Sequence, residues 1–116
     1  MLRLCRVNIE RSTEILERLD NYKGEVVKNL DPERIILFGS FARGDVSEGS
    51  DVDLIVVADW KEGFLDRIKV LLELNRFGIP LEPIGYTWGE FRRLIEEGNP
   101  FIAEVLSEGR EIYRKS

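Results

Sequence analysis

A small mixed β-sheet flanked by helices, in the α/β or α+β class, is the fold this sequence predicts. Three observations carry the prediction. Two short apolar runs, RIILFG at 34–39 and DLIVVA at 53–58, have the length and β-branched content of buried strands. Apolar residues at helical spacing precede, separate and follow them. The resulting order is helix, strand, strand, helix, strand, helix, helix and a candidate last strand, which leaves no room for a doubly wound dinucleotide fold, and there is no G-x-G-x-x-G.

The elements follow in chain order. From about Asn8 to Leu30, Ile15, Leu16, Leu19, Tyr22, Val26, Val27 and Leu30 recur at three- and four-residue steps, and the helix starts between Asn8 and Ser12. Asp31-Pro32 breaks it, because the residue before a proline is pushed out of helical conformation. The first strand ends at Gly39, a polar connection ARGDVSEGS follows, and the second strand is DLIVVA, both strands lying in the sheet interior. A helix is expected from Lys61 to Phe77, stopped by Gly78 and Pro80. IPLEPIGYT is a third extended segment, placed at an edge or a bulge by Pro83. Thr87 and Glu90 form a T-x-x-E capping box for the next helix, Asn99-Pro100 opens another through Leu106, and EIY before the C-terminus is the candidate fourth strand.

Composition narrows the function. The 116 residues suit one domain spanning 1–116, so a large binding cleft would be shallow or shared with another chain. A net charge of -5 argues against non-specific attraction to nucleic acid. No apolar run is long enough to cross a bilayer and the N-terminus breaks into charge too early for a signal peptide, so a cytoplasmic location is expected. With no His in the chain, Ser-His-Asp hydrolysis and His-ligated metals are excluded, and Cys5 has no partner for a disulfide or a Cys/His zinc site. Carboxylates are left as the chemistry-bearing groups.

One constellation concentrates them. Asp51 and Asp53 stand one residue apart at the mouth of the second strand, and strand alternation projects both to the same side. Two neighbouring carboxylates resist ionisation unless a cation lies between them, and Mg²⁺ is suited to one or two carboxylates completed by substrate phosphates. Gly39-Ser40, at the end of the first strand, allows backbone amides to approach an anion. Glu82 in the third segment is either a further carboxylate of that face, as a ligand or a base for an incoming hydroxyl, or an exposed edge-strand residue. Trp60, Tyr86 and Trp88 are read as packing residues.

The stretch GSFARGDVSEGSDVDL, Gly39 to Leu54, resembles the GSxARG-x₅-SDxDL signature of the minimal nucleotidyltransferases of the DNA polymerase β-like superfamily. Gly39, Ser40, Ala42, Arg43, Gly44, Ser50, Asp51, Asp53 and Leu54 all match at the family's spacing, and length and element order agree over most of the chain. The resemblance implies the polymerase β-like nucleotidyltransferase fold. It also implies that Gly39 and Ser40 hold the triphosphate of ATP or another NTP, with Arg43 and Ser50 in the same nucleotide-binding set. Asp51 and Asp53 become ligands of two Mg²⁺ ions, and Glu82 falls near the family's third carboxylate. The implied reaction is in-line attack of an acceptor hydroxyl on the α-phosphorus with release of pyrophosphate. It further implies an antitoxin that adenylylates a tyrosine of a HEPN-type toxin, within a homo- or hetero-oligomer. Two rival readings stay open: a binding module that neutralises a partner by contact alone, and nucleotidyl transfer to a small-molecule hydroxyl.

Overall fold

The computed structural model describes residues 9–116, with side chains from residue 12 onward. Cys5 lies outside the described residues. The first helix, α1 (Ile9–Leu30), buries Ile15, Leu19, Tyr22 and Val26, one stripe at four- and three-residue steps. The Tyr22 hydroxyl donates to the carbonyl of Leu71 at 2.8 Å, and its burial pushes the phenol well above its ordinary acidity range. A buried phenol needs such an acceptor. After Asp31, which takes a positive φ of 47°, the chain enters the sheet.

The sheet comprises β1 (Arg34–Phe38), β2 (Val52–Val57), β3 (Leu81–Tyr86) and β4 (Arg110–Arg114), in the order β3-β2-β1-β4. β1 pairs antiparallel with both β2 and β4, with an irregularity between Ile35 and Ile36 on the β4 side. β2 and β3 are parallel, joined by a crossover through α3 (Phe64–Glu73), as a parallel connection requires. The two apolar runs are thus the central strands and Pro83 sits in an edge strand, where a missing N–H is tolerated.

Strand alternation divides the core. Ile35, Leu37, Val52, Leu54 and Val56 face α1 and Leu71 of α3. Ile36, Ile55 and Val57 face Phe91 of α4 (Trp88–Glu96) and Ile102 and Val105 of α5 (Pro100–Glu108). Helices on both faces explain why residues 35–38 of β1 and 54–57 of β2 are apolar at every position rather than at alternate ones. The cap at Thr87 forms as expected, its hydroxyl accepting from Glu90 N while the Glu90 carboxylate accepts from Thr87 N. Asn99 caps α5 by accepting from Ile102 N at 3.1 Å.

α3 is shorter than its sequence periodicity suggests. It ends at Glu73, because Asn75 turns the chain: its amide donates to the Ile79 carbonyl at 2.7 Å while its oxygen accepts from the Phe77 and Ile79 amides. An Asn side chain offers the backbone an alternative to the helix, so the stop precedes Gly78 and Pro80. Among the described residues no helix is long and apolar enough to cross a membrane.

Candidate active site

The site is built at the end of the sheet where β1 finishes and β2 and β3 begin. Register places Asp53 opposite Phe38 on one side and opposite Glu82 on the other. Gly39 follows Phe38 with φ +74°, and a Cβ there would overlap Asp53 Oδ2. Only glycine meets both demands, a left-handed backbone and a carboxylate packed against the α-carbon. The chain then makes a single helical turn, α2 (Ser40–Arg43): the Ala42 and Arg43 amides donate to the Gly39 carbonyl at 3.0 and 3.1 Å, and Gly44 closes the turn in left-handed conformation. Gly39 is the cap position and Ser40 the first helical residue, with no side-chain cap bond. The leading amides of such a turn have no acceptor within it.

The carboxylates repel. Burial first, then the charge and the hydrogen-bonding contact of Glu82, then the charge of Asp51, push the Asp53 carboxyl up to about 6 from its ordinary 3.8, and Arg43 partly offsets them. Register sets Asp53 and Glu82 side by side, and the raised Asp53 value follows from their crowding as well as from burial. Asp51 is solvent-exposed just before β2; it is near enough to repel Asp53, yet among the described residues no three acidic side chains converge as a metal-binding group. A hard, oxygen-seeking divalent cation fits this donor set, since it would offset the repulsion between the two neighbouring carboxylates.

Two other expected residues have structural partners. Ser50 Oγ accepts from Ser47 N at 2.8 Å and lies 3.2 Å from Ser47 Oγ, so this hydroxyl closes the turn that delivers Asp51 to β2. Arg43 is exposed, 3.3 Å from Asp45 Oδ2 and 3.6 Å from Glu108 Oε1. Its charge still reaches Asp53. Trp60 is buried against Gly85 and Trp88 lies under the Arg34 guanidinium at 4.7 Å, both as packing residues.

Beside the carboxylates runs an open cleft of about 470 Å³, lined by Asp53 and Glu82 and by apolar groups that include Phe38, Ile68, Leu72 and Phe101. The Phe38 and Phe101 rings meet edge to face at 5.5 Å. Sequence reasoning passed over this wall, although Phe38 immediately precedes Gly39 and alternation puts it on the face of Asp53. A larger cavity, about 620 Å³, opens at the opposite end of the sheet, where Lys115 is already paired with Asp31 at 2.8 Å.

Residues 19–113 match the nucleotidyltransferase domain family. Three proteins of Methanocaldococcus jannaschii are similar. "Putative protein adenylyltransferase MJ0604" is 35% identical over 79% of this chain and 83% of its own length. "Putative protein adenylyltransferase MJ0141" is 30% identical over 85% of this chain and 99% of its own. "Putative protein adenylyltransferase MJ1305" is 42% identical over 68% of this chain and 56% of its own. The crystal structure of a "putative nucleotidyltransferase" from Sulfolobus solfataricus superposes with a TM-score of 0.67 over 92% of this chain and 86% of that one, at 22% identity, and so speaks to the fold. With the family match covering most of the chain and the signature residues gathered around Gly39 and Asp53, the chain belongs to the nucleotidyltransferase domain family, among its minimal members.

Proposed function

We propose that this protein transfers AMP from Mg-ATP to a hydroxyl of a partner protein, and that the partner is a HEPN-type toxin modified on tyrosine. The observation that carries the reading is the meeting of the Asp53 and Glu82 carboxylates beside the glycine turn at Gly39. Gly39 and Ser40 accept the triphosphate at the turn amides, with Arg43 supplying positive charge once released from Asp45 and Glu108. Asp53 and Glu82, joined by the exposed Asp51, would hold Mg²⁺, which when bound would neutralise phosphate charge and acidify the attacking hydroxyl. Ser50 sets the turn that carries Asp51. Glu82, paired with Asp53 from the β3 side, would orient the acceptor hydroxyl and take its proton as the new P–O bond forms and pyrophosphate leaves. The relatives named as protein adenylyltransferases support a protein acceptor.

The test is intact-mass spectrometry of the protein encoded beside this chain after incubation with ATP and Mg²⁺. Nucleotide increments with wild type, absent with Asp53→Asn, are expected. A tight complex that gains no mass would instead favour neutralisation by contact, and labelling of a free small-molecule hydroxyl alone would move the acceptor out of the protein class.

A further inference from the structure

We propose that the outward face of α3 is the surface on which a protein acceptor docks, delivering its hydroxyl through the apolar cleft; this rests on the transferase reading above. α3 buries Leu71 and Arg67 and presents Leu65 and Leu72 outward, 77% and 45% exposed, with the half-buried Ile68 between them. These three positions, spaced by three and four residues, form one continuous stripe. A run of large apolar groups this open on one helix marks an interaction surface rather than ordinary scatter.

What covers the stripe follows from the strand order. Asp53 stands between the Gly39 turn on the β1 side and Glu82 on the β3 side. Attack in line with the leaving pyrophosphate requires the acceptor on the side opposite the triphosphate, which is the side of β3 and α3. Ile68 and Leu72 line the carboxylate cleft itself, so the stripe begins at the reacting end. Leu65 is seven residues from Leu72, roughly 10 Å along the helix axis. A small acceptor filling the cleft leaves Leu65 bare, whereas a protein whose apolar surface flanks the modified side chain covers both. Nucleic acid is disfavoured by an apolar stripe on a chain of net charge -5.

The test titrates the purified protein with its neighbour-encoded partner by calorimetry and follows AMP transfer by intact mass. Leu65→Arg is expected to weaken the complex at least about tenfold and to slow transfer in step, with the melting temperature unchanged because Leu65 is outside the core. Leu16→Arg, at another exposed apolar position, on α1 (40% exposed), should change neither. Equal binding by Leu65→Arg and wild type, or an equal loss from Leu16→Arg, overturns the docking face. So does the lack of any complex with wild type. Self-association abolished by Leu65→Arg also overturns it, by making the face a seam between copies. A complex that Leu65→Arg abolishes, with no AMP added by wild type, retains the docking face and defeats the transferase reading instead.

Discussion

Replacing Asp53 by Asn should stabilise the metal-free protein while destroying its activity. Folded Asp53 holds its proton up to about pH 6, whereas its ordinary value is 3.8. Between those values the folded state binds more proton than the unfolded one, so stability falls as pH rises, and above about 6 the full penalty is present. A gap of about two pH units is worth about 3 kcal/mol at full strength, and the partial solvent exposure of the carboxylate reduces that to about 1 kcal/mol. Asn carries no charge and can donate to Glu82, so Asp53→Asn should recover about 1 kcal/mol at pH 7.5 in EDTA, an increase of about 0.5 M in the urea midpoint. By pH 4.5 wild type is protonated when folded and the advantage should shrink to about a third. Millimolar Mg²⁺ should stabilise wild type and not the Asn variant. A variant no more stable than wild type at pH 7.5 in EDTA, or an advantage that grows toward acid, would refute the reasoning.

Three further outcomes follow. Gly39→Ala places a methyl against Asp53 Oδ2 on a left-handed backbone, so a loss of about 2 kcal/mol in denaturant unfolding is expected, together with loss of ATP binding in a fluorescence titration. Arg67 is buried, donating 2.7 and 3.3 Å bonds to the two oxygens of Glu90 and a 3.1 Å bond to the Gly85 carbonyl, and this hydrogen bonding holds the Glu90 carboxyl below its ordinary value. That contribution is present above the unfolded Glu pKa and is lost as pH falls through the depressed folded one; Arg67→Met should cost about 2 kcal/mol at pH 7 and flatten the acid limb of the stability profile measured by circular dichroism. Gly85→Ala pushes a methyl into the Trp60 ring and should cost about 1–3 kcal/mol, seen with a change in tryptophan emission.

Much of the fold was legible because its signals are local. The alternation-free runs in β1 and β2 announced strands covered on both faces, and Thr87, Glu90, Asn99 and Pro100 carry their helix starts in their own chemistry. The extent of α3 was not legible, because Phe77 sits at helical spacing while the Asn75 side chain competes for the same backbone through bonds that periodicity does not register. At the site, the spacing of Gly39, Asp51 and Asp53 drew attention to one stretch, but the pairing of Asp53 with Glu82 depends on the register of two strands separated by a helix. The apolar wall of Phe38, Leu72 and Phe101 was hidden for the same reason, since each comes from a different element.

That register is where fold and chemistry meet. Successive strand residues point to opposite faces, so a slip of one residue between β2 and β3 would carry Glu82 from the side of Asp53 to the far side of the sheet. Pro83 cannot donate to the ladder, which makes the contacts at either end of β3 decisive. At the site end, Val52 N donates to the Pro80 carbonyl at 2.6 Å; at the far end, Ala58 N donates to the Tyr86 carbonyl at 3.0 Å. Between them the Trp60 ring lies directly on Gly85, a position that any other residue brought there by a slip would block. Arg67 then ties the Gly85 carbonyl to Glu90 and so fixes β3 to the start of α4. The contacts that hold Glu82 opposite Asp53 thus lie mostly at the other end of the strand, away from the repelling carboxylates. A site made of mutually repelling groups can persist on a small sheet because the register that assembles it is fixed by neutral packing and paired charge elsewhere.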